Sequence, residues 1–233
     1  MSLTLAIPSK GRLMEATQDW FAARGVALQR SGGAREYAAE SDMPGLSVQL
    51  LSAGEIAGAV ARGDIHLGVT GRDLVRETIP LWETRAEEMA PLGFGHADLI
   101  IAVPSFWTDV TTLSDLDAVA AQFRRDHGHR LRIATKYHRL VREHLRTAGV
   151  ADYALVDSQG ATEGVVANET AEAIADITST GETLRANHLR PLDEEPVLRS
   201  EAVLFRSVGA DWGEAAMETL ERLNERLGSL PRP

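Results

Sequence analysis

The chain has 233 residues, 44% of them hydrophobic and 25% charged, so it can bury a core as one large domain or two small ones. It has no cysteine, which excludes disulfides, thiolate nucleophiles and cysteine-bound metals. Its 34 acids against 24 lysines and arginines give a net charge of −10. Duplex nucleic acid is therefore an unexpected ligand, and a smaller anion would need the cations concentrated where it binds.

We expect a soluble, cytoplasmic protein. The first apolar stretch, residues 3–7, is too short for a signal peptide, and the cations Lys10 and Arg12 follow it rather than precede it. The most apolar run, residues 99–103, is far below the roughly 20 residues of a membrane span.

Short β-type runs alternate with helical patterns along the chain, which predicts an α/β fold with mostly parallel sheets. The predicted strands are residues 3–7, 46–51, 66–69, 99–103, 131–135, 154–156, 174–177 and 203–205. The predicted helices are residues 12–24, 55–62, 115–125, 139–147 and 212–227. Ser114 and Asp211 are the predicted N-caps of the third and last of these helices.

Glycines and a proline interrupt the pattern at residues 90–95, which predicts a hinge. A second crossing is expected near residues 183–191. The simplest architecture is two α/β lobes with a cleft between them: residues 1–92 plus 190–233 form lobe 1, and residues 93–189 form lobe 2.

The strongest motif is residues 173–184, where an apolar strand delivers Asp176 to a hydroxyl-rich turn that opens a helix. Backbone N–H groups and hydroxyls in such a turn can surround a phosphate, and an acid at the strand end can accept hydrogen bonds from ribose hydroxyls. An ordinary Ser/Thr-capped turn is the alternative. The turn residues are Ser179, Thr180, Gly181, Glu182 and Thr183.

Related turns follow other strands. Lys10 and Arg12 flank Gly11 after the first strand; these cations oppose the dipole of the helix they open, which favours a binding role over a solvated helix start. Several such turns in an acidic chain predict a cleft for a phosphorylated ligand. The candidate residues in the other turns are Thr70, Gly71, Asp73, Thr135 and Glu163.

Taken together, these segments resemble the ATP phosphoribosyltransferase family, in the family's order and spacing from residue 3 to about residue 190. The segments that carry the resemblance are residues 8–13, 68–73, 92–95, 133–137 and 176–184. The last of them resembles the family's phosphoribosyl-diphosphate loop.

The resemblance implies a two-lobe fold like that of type II periplasmic binding proteins. It implies attack by N1 of ATP on C1 of phosphoribosyl diphosphate, which releases pyrophosphate in the first step of histidine biosynthesis. Asp176 would hold the ribose hydroxyls and residues 179–183 the 5′-phosphate. Lys10, Arg12 and Arg35 would neutralise the diphosphate and triphosphate. Mg²⁺ would be carried mainly by the substrate phosphates.

The chain ends after one terminal helix, so it resembles the family's short form. That form implies a regulatory subunit similar to histidyl-tRNA synthetase, a hetero-octamer, and a homodimer as its building block. Two positions depart from the family pattern. Ser52 stands where the family commonly has arginine, and His138 stands where it usually has proline.

Two alternatives remain open at this point. The first is a non-enzymatic small-anion binding module on the same two-lobe fold, since fold alone does not define function. The second is a different phosphoribosyltransferase, which would share the Asp176 turn but not the Lys10 and Arg12 segment. No histidine pair has the spacing of a zinc helix, so no protein-bound metal is expected.

Overall fold

The computed structural model describes residues 2–30, 38–158, 162, 164–193 and 195–228. The chain divides into two compact units. Unit 1 contains Met1–His96 and Glu201–Pro233, and unit 2 contains Ala97–Ser200.

Unit 1 is built on a seven-stranded sheet with strand order β2-β3-β4-β1-β5-β13-β6. The central β1 pairs in parallel with β4 and β5, and the remaining pairs are antiparallel. The strands are β1 (Leu3–Pro8), β2 (Leu28–Arg30), β3 (Ala38–Ser41), β4 (Leu46–Leu51), β5 (Leu67–Gly71), β6 (Ala86–Pro91) and β13 (Ala202–Ser207).

Both faces of this sheet are covered, because alternate residues of a strand point to opposite sides. Leu5 and Ile7 of β1 pack in one apolar cluster with Phe21. Ala6 packs in the cluster on the other face, with Ile56. The helices are α1 (Gly11–Ala22), α2 (Ala53–Arg62), α3 (Arg72–Thr78) and α8 (Glu214–Leu227), with a 3₁₀ turn at Trp82–Thr84.

Unit 2 contains a sheet with strand order β11-β7-β10-β8-β9, and β12 also pairs with β7. Strands β10, β8 and β9 are parallel neighbours, whereas the partners of β7 are antiparallel to it. The strands are β7 (Ala97–Pro104), β8 (Leu131–Thr135), β9 (Tyr153–Asp157), β10 (Ala173–Thr178), β11 (Leu189–Pro191) and β12 (Leu198–Ser200). The helices are α4 (Leu113–His127), α5 (His138–Thr147), α6 (Gly164–Ala167) and α7 (Glu182–Ala186).

The α/β fold class is confirmed. In each unit a group of parallel strands, β4-β1-β5 or β10-β8-β9, brings the turns at their carboxyl ends to one edge of the sheet. The first segment of unit 1 ends at His96, one residue after the segment 90–95 where a hinge was predicted. The chain returns to unit 1 at Glu201, later than the predicted residue 190, because β11 and β12 both pair with β7.

The predicted N-cap of α4 was wrong. Thr112, not Ser114, caps the helix through a reciprocal capping box with Asp115. Four N–H or O–H groups of Thr111 and Thr112 donate to Oδ2 of Asp115, and the Thr112 contacts are the dominant cause that lowers the pKa of Asp115 to about 2. Asp117, which would reciprocate for Ser114, instead accepts from the Ala151 N–H at 2.8 Å.

The predicted start of the last helix was also wrong. α8 begins at Glu214 with Gly213 as N-cap, not at Asp211. The Asp211 carbonyl lies 2.9 Å from Nε2 of His66, and the Trp212 indole N–H donates to the Ser207 carbonyl. These contacts hold the segment before α8 in a non-helical conformation, packed against the rest of unit 1.

Among the described residues, no helix is both long enough and apolar enough to cross a membrane.

Candidate active site

Strands β10, β8 and β9 of unit 2 end side by side at one edge of the sheet. The parallel register places Ala175 opposite Thr135, and Thr135 opposite Asp157. The residues that follow each strand therefore meet at one edge of the sheet, where ligands bind in open α/β sheets. Asp176 and Lys136 are the next residues along β10 and after β8.

Asp176 is a buried carboxylate with one oxygen anchored by the protein. Its Oδ1 accepts the Ile177 N–H at 2.8 Å and lies 3.4 Å from Nζ of Lys136. No described residue donates to its other oxygen, Oδ2. A carboxylate held in this way can accept hydrogen bonds from a ligand through Oδ2 without turning.

The turn after β10 is organised by its own hydroxyls. Thr178 Oγ1 accepts the Gly181 N–H at 3.0 Å, and Thr180 Oγ1 accepts the Glu182 N–H at 3.3 Å. A hydroxyl that accepts one hydrogen bond keeps a proton to donate, so both threonines can donate to a phosphate oxygen. Ser179, Thr180, Glu182 and Thr183 are exposed.

Gly181 is required by the backbone of this turn. Its φ is +69°, the left-handed region that a side chain rarely adopts. A Cβ there would also lie 3.1 Å from Nη1 of Arg185, whose Nη2 donates to the Thr180 carbonyl at 3.1 Å. The absence of a side chain at Gly181 therefore leaves room for the Arg185 guanidinium, which stabilises the turn through the Thr180 carbonyl.

An arginine–glutamate clasp aligns the two strands that carry Asp176 and Lys136. Arg132 of β8 donates to Glu172, the residue before β10, from its backbone N–H at 2.7 Å and from its guanidinium. Burial raises the pKa of the Glu172 carboxyl, but the Arg132 hydrogen bonds together outweigh burial, so the pKa is lowered. The clasp thus stays ionised and holds the register that places the site residues.

Thr135 and the turn after β9 have supporting positions. Thr135 is fully buried, and its Oγ1 accepts the Tyr137 N–H at 2.9 Å. Its carbonyl accepts the Ser158 N–H, and the Ser158 hydroxyl donates to Thr162 at 2.6 Å. These bonds join the turns after β8 and β9. The predicted residue Glu163 lies outside the described residues.

In unit 1, Lys10 and Arg12 stand at the start of α1, directly after the central strand. Lys10 is the N-cap and uses no side-chain cap, and the first turn contains no acid. Gly11 has φ of +73°, and all three residues are exposed. The cations are therefore accessible to an anion. The predicted residue Arg35 lies outside the described residues.

The turn after β5 is mainly structural. The buried Thr70 hydroxyl donates to the Ala53 carbonyl at 2.7 Å, and the Asp73 carboxylate folds back so closely on Gly71 that a Cβ would clash with it. Arg72 pairs with Glu88 at 3.0 Å and with Glu201 at 3.4 Å. The hydrogen bond to Glu88 is the main cause that raises the pKa of Arg72.

Ser52, the position where the family commonly has arginine, caps α2. Its hydroxyl accepts the Glu55 N–H, and the Glu55 carboxylate accepts the Ser52 N–H at 2.8 Å. These bonds lower the pKa of Glu55. Within the described part of the chain, no three His, Asp or Glu side chains lie together as a metal site.

Sequence reasoning missed Lys136 and Arg185 as site residues. Lys136 belonged to a recognised segment, but its closeness to Asp176 depends on the pairing of β8 with β10, which the sequence does not state. Arg185 could have been noticed as the basic residue one turn after Gly181.

The fold and the sites define a class: a two-unit α/β protein with a buried acid before a phosphate-type turn. The alkanesulfonate-binding protein SsuA from Xanthomonas axonopodis pv. citri shares the fold, with a TM-score of 0.51 and 16% identity over 97% of this chain and 71% of that one. The ATP phosphoribosyl transferase (HisG:HisZ) complex from Thermotoga maritima includes a chain with TM-score 0.69 and 21% identity, covering 97% of this chain and 98% of that one.

Sequence comparison gives the family. The family described as HisG: ATP phosphoribosyltransferase matches residues 52–228. A relative from Cereibacter sphaeroides, named ATP phosphoribosyltransferase, is 64% identical over all of this chain and 98% of its own length. One from Nitrobacter winogradskyi with the same name is 47% identical over 99% of this chain and 71% of its own length.

The chain belongs to the ATP phosphoribosyltransferase family. It is therefore a transferase of histidine biosynthesis, and nothing in these comparisons favours a non-enzymatic anion-binding module.

Proposed function

We propose that this chain transfers the 5-phosphoribosyl group of phosphoribosyl diphosphate to N1 of ATP, and that the turn after β10 binds that group. The bond from C1 to the diphosphate oxygen breaks, a bond from N1 to C1 forms, and pyrophosphate leaves with the electron pair. The observation that carries the proposal is the buried Asp176 directly before a hydroxyl-rich turn built on Gly181.

Each part of that turn has a separate role. Oδ2 of Asp176 accepts hydrogen bonds from the ribose hydroxyls. The hydroxyls and N–H groups of residues 178–183 bind the 5′-phosphate. Because adenine N1 is itself the nucleophile, the reaction needs no side-chain nucleophile. Catalysis then consists of positioning and of neutralising the departing pyrophosphate.

Lys10 and Arg12 supply positive charge to the diphosphate or triphosphate. Both are exposed and lie where the backbone of α1 also offers N–H groups. Arg72 is excluded from this role because Glu88 and Glu201 already neutralise it. Gly11 and Gly71 complete the proposed binding surface of unit 1, and the buried Thr70 and Asp73 support it from inside.

Mg²⁺ would be carried mainly by the substrate phosphates. A divalent cation bound to diphosphate oxygens and water needs only one or two protein carboxylates. The Asp176 carboxylate, beside the proposed ribose site, fits one such contact. The ion would supply charge neutralisation at the leaving diphosphate.

We also propose that the chain works with a regulatory subunit similar to histidyl-tRNA synthetase, in a hetero-octamer built on homodimers. One observation supports this: the similar T. maritima chain comes from a HisG:HisZ complex. Comparing the activity of the isolated chain with that of its mixture with the regulatory subunit would show whether the chain depends on this partner.

Asp176→Asn tests the site. Removing a charge that accepts hydrogen bonds costs about 1.5–3 kcal/mol, so kcat/KM for phosphoribosyl diphosphate should fall about 10- to 150-fold. Asp193→Asn, at an exposed acid of the same unit, is the matched control and should leave kcat/KM unchanged. An Asp176→Asn variant with normal turnover and an intact fold would refute the assignment.

A further inference from the structure

Among the described residues, Lys136 is the cation that pairs with the Asp176 carboxylate. Thr135 and Ala175 are register partners, so the residues that follow them are neighbours at the strand ends. The Lys136 ammonium lies 3.4 Å from Oδ1, and the Asp176 side chain is 9% exposed whereas that of Lys136 is 50% exposed.

This asymmetry separates the pair from an ordinary surface salt bridge. An ionised carboxylate that is nearly buried needs a compensating partner, whereas exposed ion pairs contribute little. The half-exposed lysine does not depend on the aspartate for its own solvation. The ion pair therefore matters mainly for the buried Asp176 carboxylate and much less for the half-exposed Lys136 ammonium.

The pairing is also specific to one carboxylate oxygen. Both the Lys136 ammonium and the Ile177 N–H meet Oδ1, and no donor among the described residues meets Oδ2. A hydrogen bond and an ion pair on the same oxygen orient the carboxylate and leave the second oxygen for a ligand. The Lys136 ammonium lies 5.8 Å from the centre of the Tyr137 ring, which is itself buried, so the lysine is steadied from a second side.

We infer that Lys136 is a positioning residue for phosphoribosyl diphosphate: it holds the Asp176 carboxylate in the orientation in which Oδ2 receives the ribose hydroxyls. The inference rests on the proposed role of Asp176. It adds a residue whose effect on the sugar passes through the aspartate rather than through direct contact with the reacting atoms.

The test is a double-mutant cycle with steady-state kinetics. Lys136→Met should raise KM for phosphoribosyl diphosphate about tenfold and leave KM for ATP within about twofold. Lys136→Arg, which keeps the charge, should recover a large part of that loss. In the Asp176→Asn background, Lys136→Met should cost almost nothing further, because its partner is already neutral.

The matched control is Arg199→Met. Arg199 pairs with Glu195 in the same unit, but both members of that pair are exposed, so removing the cation should change neither KM. Denaturant unfolding of each variant checks that the fold is intact. If Lys136→Met refolds poorly, Lys136→Gln replaces it in the same cycle.

The outcomes are separable. Normal kinetics in Lys136→Met, or losses that multiply in the double variant, would overturn the role of Lys136 while Asp176→Asn stays impaired. Normal kinetics in Asp176→Asn would overturn the proposed site itself.

Discussion

At the scale of the residue, both the backbone geometry of the turn after β10 and its proposed phosphate binding depend on Gly181 having no Cβ. A side chain at φ of +69° costs about 1–2 kcal/mol, and here it would also displace the guanidinium that braces the turn. The absence of a Cβ therefore preserves both the turn and its N–H groups.

We predict that Gly181→Ala raises KM for phosphoribosyl diphosphate about tenfold or more, because the phosphate-binding N–H groups shift with the turn. Gly128→Ala is the matched control in the same unit. Gly128 has φ of +75° at the end of α4, and a Cβ there meets nothing within 4 Å. Both variants should lose unfolding free energy, but a comparable rise in KM for Gly128→Ala would contradict the account.

The residue scale also shows the limit of sequence reasoning. The Asp176 turn was predicted because an acid, hydroxyls and a glycine stand together in the chain and carry their chemistry locally. Lys136 could not be assigned in the same way, since its partner lies far along the sequence and is reached only through the pairing of β8 with β10.

At the scale of the element, local signals located eight of the thirteen described strands and placed helix starts less well. The predicted strand at residues 131–135 coincides with β8. The start of α4 was wrong because Thr112 and Ser114 are both good caps, and the choice depends on which acid reaches back. Strands β2, β3, β6, β11 and β12 were missed. The last two have only three residues each, and pairing with β7, rather than their own composition, stabilises them.

The α4 cap gives a stability prediction. Thr112→Ala removes the hydroxyl that accepts the Asp115 N–H and should lower the free energy of unfolding by about 1 kcal/mol. Ser114→Ala changes a neighbouring exposed hydroxyl and should have a much smaller effect. Urea denaturation of both variants measures the difference, and the reverse order would restore Ser114 as the cap.

At the scale of the whole molecule, the segment by which the chain leaves unit 1 is hydrogen-bonded to the segment by which it returns. Leu92 N–H donates to the Ala202 carbonyl, and Ala202 N–H donates to the Phe94 carbonyl, both at 2.9 Å. The Glu201 carboxylate accepts the Gly93 N–H and pairs with Arg72. The arginine of the segment that resembles the family at residues 68–73 thus stabilises the point where the chain leaves and re-enters unit 1.

Pyrophosphate release by the purified chain is the direct test of the proposed phosphoribosyl transfer. Phosphoribosyl diphosphate and ATP are supplied singly and together with Mg²⁺, with and without the synthetase-like subunit. We predict release only when both substrates are present, at a rate that the partner raises. Equal release from phosphoribosyl diphosphate alone, or none in any mixture with a folded chain, would contradict the account.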